Sequence, residues 1–450
     1  KQSAKEDLAI DCFLGIPYAA PPVGDLRWKS PQGLENWNET RSCFDFSADF
    51  PQAANPLLRA PHQSEDCLYL NVWAPAFKDG KKLPVMVWIH GGGFVGGSGS
   101  DQRSDGALMA AKGVVVVSFN YRSGVFGFLA HPELSAESEL RVSGNYGLQD
   151  QIAALKWIQK NIDKFGGDPN KVTVFGVSAG SASISLLLTC PQAKGLFQQS
   201  ILHSPGAARP LATLTQAESL SLKELGADIE RLRFLSAQDI FKLTSLLNPK
   251  IRGLTTPRIL RPILDGVYLS ENERDVFKDH RQLMLPMIVG SNLDEGSLLT
   301  KDWAIKSLDD YAGLVKSNFN ALSSDALALY PVGAAEDIRI CVAELFGDTQ
   351  FNYGTRLLAQ SNSNQVAKTW RYLFAKRRPS QLDGPHHGQE VAHVFGNLSA
   401  KVTPIENDFD QKDELISTAM LNYWVQFAHT GNPNQKEQPE WHPYYMVSDH

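Results

Sequence analysis

The sequence predicts an α/β fold in which a mostly parallel, twisted sheet is covered by helices on both faces. Short apolar segments of strand length recur along the chain, and stretches with helical spacing lie between them. Strands that alternate with helices in this way form parallel sheets. With 450 residues, of which 43% are hydrophobic, the chain is long enough to bury a large core.

The predicted strands are short, apolar and rich in β-branched residues. They cover residues 68–73, 83–90, 114–119, 171–175, 198–203, 285–290 and 368–374. Proline and polar turn residues dominate the first 60 residues, which predicts an irregular N-terminal region before the first strand.

Three helices are predicted between and after these strands, at 148–163, 179–189 and 413–429. In the first of them Ile152, Leu155 and Ile158 recur at helical spacing. Two further helical stretches, at about 215–247 and 308–360, are longer than a crossover requires. We therefore expect one domain over residues 1–450, with helical cap insertions at about 210–260 and 303–362.

Charge and composition exclude several functional classes. The formal net charge of −6 argues against a protein that holds nucleic acid through its phosphates. No apolar run approaches the roughly 18 residues of a membrane-spanning helix. The five cysteines contain no CxxC pair, so neither a zinc ribbon nor a thioredoxin motif is expected. We expect no metal and no cofactor.

The strongest local motif is Gly176-Val177-Ser178-Ala179-Gly180, which lies between a predicted strand and a predicted helix. That context is typical of a nucleophile elbow, whose glycines permit the sharp turn that exposes the serine hydroxyl. A purely structural turn is the alternative.

A second motif, His90-Gly91-Gly92-Gly93-Phe94, ends the predicted strand 83–90. Such a glycine loop can leave backbone N–H groups approachable, as an oxyanion hole requires. A flexible turn is the alternative.

A serine nucleophile needs a base, and the base needs an acid to orient it. His387 lies in a Gly/Pro-rich loop after strand 368–374, and Glu295 follows strand 285–290. Asp294 is a rival acid, and a solvated turn would account for either carboxylate. The order Ser178, Glu295, His387 is the Ser–acid–His order of α/β-hydrolases.

The sequence resembles the type-B carboxylesterase family, which includes the cholinesterases, over nearly its whole length. The segments that carry the resemblance are FLGIPYA at 13–19, SEDCLYLNV at 64–72, the glycine loop, NYR at 120–122, GLQDQ at 147–151, FGGDP at 165–169, and WVQFA with TGNP at 424–433.

The resemblance implies an α/β-hydrolase fold and a serine carboxylesterase that acts on small-molecule esters through an acyl-enzyme, with a role for each matching residue. Ser178 would be the nucleophile, His387 the base and Glu295 the acid, in preference to Asp294; Gly92, Gly93 and Ala179 would form the oxyanion hole; Glu390 and Ser204 would be polar groups near the base. A thioesterase or amidase of the same fold, and a catalytically silent adhesion-type relative, are the alternatives.

The resemblance also implies a Cys43–Cys67 disulfide, and with it a secreted or otherwise extracytoplasmic location. It implies two structural ion pairs, Arg27–Glu65 and Arg122–Asp150. We expect a monomer or a homodimer.

One departure from the family pattern concerns the pocket beside the nucleophile. Val177 stands where the family usually has glutamate, which predicts a more apolar or anion-tolerant pocket. Arg258 and Arg261 could receive an acidic substrate, although solvated surface positions are the favoured interpretation for both.

Overall fold

A computed structural model describes residues 9–76, 80–248, 254–255, 257–363, 367–378, 381, 383–398 and 409–445. Within these residues, eight strands form a single sheet. The strands are β1 (Ile10–Pro17), β2 (Tyr69–Pro75), β3 (Leu83–Ile89), β4 (Val115–Phe119), β5 (Gly167–Val177), β6 (Gln199–His203), β7 (Met287–Asn292) and β8 (Thr369–Phe374).

The strands lie in the order β1-β2-β4-β3-β5-β6-β7-β8. The pairs from β4 to β8 are all parallel, and only β2 runs against its neighbours. The predicted mostly parallel sheet is therefore confirmed. The sequence analysis missed β1, an edge strand that pairs with β2 alone. Its register shifts between Phe13 and Ile16, where Gly15 has a φ of 72°, so it lacks the regular pattern of a strand.

Sixteen α-helices are present in the described part of the chain. They are α1 (Ala107–Ala110), α2 (Gly124–Phe128), α3 (Pro132–Glu137), α4 (Tyr146–Asn161), α5 (Ala179–Leu187), α6 (Leu214–Leu225), α7 (Ile229–Arg233), α8 (Ala237–Leu247), α9 (Glu273–Lys278), α10 (Ser297–Thr300), α11 (Leu308–Phe319), α12 (Ser323–Leu329), α13 (Ile338–Gly347), α14 (Tyr353–Asn362), α15 (Glu390–Phe395) and α16 (Gln411–Thr430).

Alternating side chains of the central strand β3 enter two separate cores. Val85, Val87 and Ile89 pack with residues of α4 and α5 on one face of the sheet. Met86 and Trp88 pack with residues of α15 and α16 on the other face. Because both faces are covered, the central strands are apolar on both sides rather than alternately polar.

Two groups of helices form apolar clusters of their own. Helices α6 to α8 pack with α2 and α3, and α11 to α13 pack around Phe346 and Phe351. Helix α14 instead packs on the sheet against β7 and β8, and its Leu358 and Ala359 belong to one of the two main cores. No helix in the described ranges is both long and apolar enough to span a bilayer.

The predicted Cys43–Cys67 disulfide is not formed, because both residues are free thiols. Cys67 is fully buried in the apolar core, and Cys43 packs against the same cluster. Burial raises the pKa of both thiols. They therefore act as small apolar side chains. The extracytoplasmic location was inferred from that disulfide and loses this support. No other observation tests the location, which stays a prediction.

Both predicted ion pairs are present. Arg27 pairs with Glu65. Arg122 binds Asp150 in a two-pronged arrangement, with Nε–Oδ2 and Nη2–Oδ1 distances of 2.8 and 2.7 Å. The backbone N–H of Arg122 also donates to Asp150 Oδ2 over 3.0 Å. This second pair is buried and ties the end of β4 to α4.

Replacing Asp150 with asparagine should lower the free energy of unfolding by about 3–5 kcal/mol, because the buried Arg122 charge loses its ion-pair partner. Urea unfolding followed by circular dichroism measures the change. The matched control is Glu271→Gln, which breaks an equally two-pronged but exposed pair with Arg281. Equal effects of the two substitutions would contradict the assignment of Asp150 as a stabilising residue.

Candidate active site

A cavity of about 500 Å³ opens where the parallel strands β3 and β5 end side by side. Ligands of α/β sheets bind at the carboxyl ends of the strands, where the strand order changes direction. Ser178, the glycine loop 91–93 and His387 all line this cavity. The structure therefore brings together residues that are far apart in the sequence.

Ser178 occupies a strained turn between β5 and α5. Its φ and ψ of 57° and −118° lie in a region that residues with a side chain rarely adopt. The turn is held by two backbone hydrogen bonds, from Ser178 N to His203 O at 2.9 Å and from Ala182 N to Ser178 O at 2.8 Å. A Cβ atom on Gly180 would lie 2.0 Å from the Ile89 carbonyl oxygen, so only glycine lets α5 approach β3 this closely.

The glycine loop passes directly beside Ser178. A Cβ on Gly91 would lie 3.2 Å from the Ser178 Cβ, and one on Gly92, whose φ is 116°, would lie 2.0 Å from the Gly96 carbonyl oxygen. Within the described residues, the backbone N–H groups of Gly92, Gly93 and Ala179 donate no hydrogen bond. Three such donors beside one serine are suited to stabilising an oxyanion.

His90 braces the start of this loop. Its ring stacks on Tyr121 at 4.3 Å, and the Tyr121 hydroxyl donates to the His90 carbonyl oxygen over 2.9 Å. Burial lowers the pKa of His90 to about 4, so the imidazole is neutral at pH 7. Gln52 braces the other end, since its side-chain amide both accepts from and donates to the backbone of Gly97.

His387 and Glu295 form a short hydrogen bond, with 2.5 Å between Nδ1 and Oε2. A carboxylate only accepts, so Nδ1 carries the proton and Nε2 of the neutral ring is left as the basic nitrogen. Nε2 is buried and has no hydrogen-bond partner among the described residues. The Phe351 ring lies 4.2 Å from the imidazole and fixes its plane.

Glu295, rather than its rival Asp294, reaches the histidine. Its other oxygen, Oε1, accepts hydrogen bonds from Ser204 Oγ at 2.5 Å and from the backbone N–H of Asn292 at 2.6 Å. Asp294 instead accepts from the Gly384 N–H at 3.1 Å and so anchors the loop that carries His387. The two neighbouring carboxylates thus have different positions and different contacts.

Glu390 is buried behind the histidine loop and joins the same hydrogen-bond network. Asn292 Nδ2 donates to Glu390 Oε2 over 2.6 Å, while its backbone N–H donates to Glu295. Burial, followed by the nearby charge of Glu295, raises the pKa of the Glu390 carboxyl to about 7. The carboxyl therefore exchanges its proton in the physiological pH range.

His203, at the end of β6, is a buried histidine that sequence analysis missed. Trp424 Nε1 donates to its Nε2 over 3.1 Å, so Nδ1 holds the ring proton and lies 2.9 Å from the Tyr372 hydroxyl oxygen. Burial lowers the pKa of His203 to about 3. Asn292 and Phe351 were also missed. Asn292 is marked by its position at the end of β7, whereas no local sequence signal marks Phe351.

The structure corrects the interpretation of Arg261 as a solvated surface residue. Arg261 is 3% exposed and lines the cavity, and Arg258 lines the same cavity in a half-buried position. Val177 lies between the glycine loop and the histidine loop, within 4.0 Å of a Cβ placed on Gly388. No cluster of three or more possible metal ligands occurs among the residues that the structure covers.

Comparison with known proteins places this geometry in context. Residues 1–450 match the Carboxylesterase family. The chain is 44% identical to the fumonisin B1 esterase of Sphingopyxis macrogoltabida, over 96% of this chain and 81% of that protein. It is 38% identical to the para-nitrobenzyl esterase of Bacillus subtilis (strain 168), over 96% and 88%. A solved PNB esterase structure superposes with a TM-score of 0.83 at 35% identity and covers 97% of this chain and 90% of its own.

The raised pKa of Glu390 predicts a pH-dependent loss of stability. Between its usual pKa of 4.5 and about 7, the folded protein holds a proton that the unfolded chain releases, so stability falls as pH rises through this window. Glu390→Gln removes this dependence. Relative to the wild type, the variant should gain about 2–3 kcal/mol between pH 5 and pH 8.

Urea unfolding of both proteins at pH 5 and pH 8 provides the measurement. Glu336→Gln, at an exposed position, is the control and should leave the pH dependence unchanged. A Glu390→Gln variant with the same offset from the wild type at both pH values would contradict the prediction.

Proposed function

Because the chain belongs to the carboxylesterase family, and so is a carboxylic ester hydrolase with an α/β-hydrolase fold, we propose that it cleaves esters through Ser178, His387 and Glu295. The observation that carries this proposal is the Glu295–His387 hydrogen bond, which leaves the basic nitrogen of the ring unpartnered in the cavity that Ser178 lines.

In the first half of the reaction, Ser178 Oγ attacks the ester carbonyl carbon as His387 Nε2 takes up the serine proton. Glu295 stabilises the imidazolium that forms and keeps Nδ1 protonated. The negative charge that develops on the carbonyl oxygen is met by the N–H groups of the oxyanion hole, formed by Gly92, Gly93 and Ala179. His387 then returns the proton to the leaving alcohol.

In the second half, water attacks the acyl-enzyme on Ser178. His387 accepts a proton from that water and delivers it to Ser178 Oγ as the carboxylic acid leaves. The two half-reactions use the same groups in opposite order. Every group needed is therefore supplied by the chain and the solvent.

The other two interpretations are weaker. A thioesterase or amidase would use the same atoms, but both relatives described above are named as esterases, which favours esters. An adhesion-type relative would have no need of a strained serine beside three free N–H donors. The proposed substrates are small-molecule esters. The oligomeric state, a monomer or a homodimer, stays a prediction.

Ser178→Ala should lower kcat for para-nitrophenyl acetate, butyrate and octanoate by about a thousandfold or more, because the nucleophile is removed and only binding and the oxyanion hole remain. Nitrophenolate release provides the assay. The control is Ser181→Ala, one turn along α5, where a buried hydroxyl without a partner in the described residues is removed. Wild-type turnover no faster than that of Ser178→Ala would contradict the proposal.

The acyl-enzyme should be visible as a mass increase on Ser178. Wild-type protein mixed with para-nitrophenyl butyrate and quenched in acid within milliseconds should carry one butyryl group, located on Ser178 by peptide mass spectrometry. His387→Gln should suppress the adduct, because the serine is no longer deprotonated as it attacks. A butyryl group on any other residue of a catalytically active sample would contradict the mechanism.

A further inference from the structure

The described residues that line the cavity beside Ser178 have a formal charge opposite in sign to that of the whole protein. Arg103, Arg209, Arg258 and Arg261 line it, whereas Asp101 is the one carboxylate in the described lining. Arg103 holds Asp101 in an ion pair, with 2.7 Å between Nη2 and Oδ2. The chain as a whole carries a formal charge of −6. A positive cavity in an acidic protein is suited to an anionic ligand.

We propose that the natural substrate is an anionic ester, one that carries an ionised carboxylate besides its ester bond, and that Arg261 binds this carboxylate. This inference rests on the proposed ester hydrolysis and adds the substrate class to it.

Arg261 is the residue that most directly requires such a ligand. Its side chain is buried, and it forms neither a hydrogen bond nor an ion pair with the described residues. Its guanidinium lies 5.5 Å from the centre of the Phe94 ring. Phe94 belongs to the same apolar cluster as Ala179. The guanidinium of Arg261 and the oxyanion-hole residue Ala179 are therefore both neighbours of Phe94.

No carboxylate among the described residues pairs with this charge. The buried carboxylate whose field reaches Arg261 is that of Glu273, which already accepts hydrogen bonds from Ser185 Oγ at 2.5 Å and from Ala208 N at 2.7 Å. Burial lowers the pKa of Arg261, and Glu273 only partly offsets this effect. A buried, unpaired guanidinium is costly, and a ligand carboxylate would remove most of that cost through charge-assisted hydrogen bonds.

Two other arginines extend the positive lining. Arg209 is held by the Gln350 carbonyl oxygen, 2.8 Å from Nη2, and lies over the Phe351 ring, which packs at a tilt against His387. Arg258 lies three residues before Arg261 and lines the same cavity. Cationic side chains therefore line the cavity near Phe351 as well as near Phe94.

Because position 177 is valine and not the glutamate usual in the family, no carboxylate at this position repels such a substrate. A carboxylate at this position would adjoin Ser178 at the mouth of the glycine loop, since Val177 contacts Gly91 there. Glu295 lies behind His387, where it faces the histidine and not the cavity. Among the described lining residues, the one charge of the same sign as an anionic ester is therefore the ion-paired Asp101.

The test uses two substrate pairs that differ only in a carboxylate. Monoethyl glutarate and ethyl pentanoate place the difference in the acyl group, whereas 4-acetoxybutanoate and butyl acetate place it in the alcohol. The wild type should hydrolyse the anionic member of at least one pair with a kcat/KM about tenfold or more above its neutral partner. The pair that shows this preference identifies which side of the ester meets Arg261.

Arg261→Gln should lower kcat/KM for the preferred anionic ester by roughly 10- to 100-fold, because hydrogen bonds to a charged group are lost. The neutral partner should change by less than about threefold. Arg231→Gln, an exposed arginine outside the cavity, is the matched control and should change neither. A wild type without preference in either pair, or a folded Arg261→Gln variant that keeps the preference, would overturn the proposal.

Thermal unfolding shows whether Arg261→Gln is folded. If the variant is unfolded, the anion site is tested instead by the inhibition of wild-type ethyl pentanoate hydrolysis by free glutarate. Competitive inhibition that weakens with added salt supports the anion site, and its absence overturns it. If hydrolysis depends on Ser178 but the wild type shows no preference for the anionic ester of either pair, this inference alone is contradicted. Failure to hydrolyse any of the four esters sinks the proposed function as well.

Discussion

The left-handed backbone of Ser178 is the constraint on which the rest of the site depends. It exists because α5 starts so close to β3 that no side chain fits at Gly180. The carboxyl-terminal halves of β3 and β5, which are buried, supply the rigidity that holds this strain in place. With the turn fixed, the amide of Ala179 and the loop after β3 converge on one point. A flexible serine loop could not keep three N–H donors aimed there.

Polar groups behind this turn are arranged in a chain of decreasing exposure. His387 contacts the cavity, Glu295 holds the histidine, and Ser204 and Asn292 hold Glu295. Each carboxylate oxygen of Glu295 has a donor, so the charge is stabilised where water is excluded. Arg261, which also lines the cavity, differs, because its buried charge has no such partner among the described residues. The charge of Glu295 is thus stabilised by other residues of the chain, whereas the charge of Arg261 would be stabilised by an anionic ligand.

Local patterns explain why much of this could be predicted from sequence. Strands β3 and β4 are short, mostly apolar runs, the glycines around Ser178 lie between a strand and a helix, and the glycine loop directly follows β3. The edge strand β1 was not predicted, because a bulge interrupts its strand pattern. Cys43 and Cys67 were paired by resemblance, whereas apolar packing is what holds them. The burial of Arg261 and the stacking of Phe351 depend on contacts between distant segments, which no local pattern encodes.

The most direct test of the account is a crystal structure of the protein after reaction with a phosphonate ester that leaves a tetrahedral phosphonyl group. We expect phosphorus bonded to Ser178 Oγ, with one oxygen about 2.7–3.1 Å from the amide nitrogens of Gly92, Gly93 and Ala179. His387 Nε2 should lie within hydrogen-bond distance of the serine oxygen. An adduct on another residue, or a phosphonyl oxygen turned away from these three amides, would contradict the account.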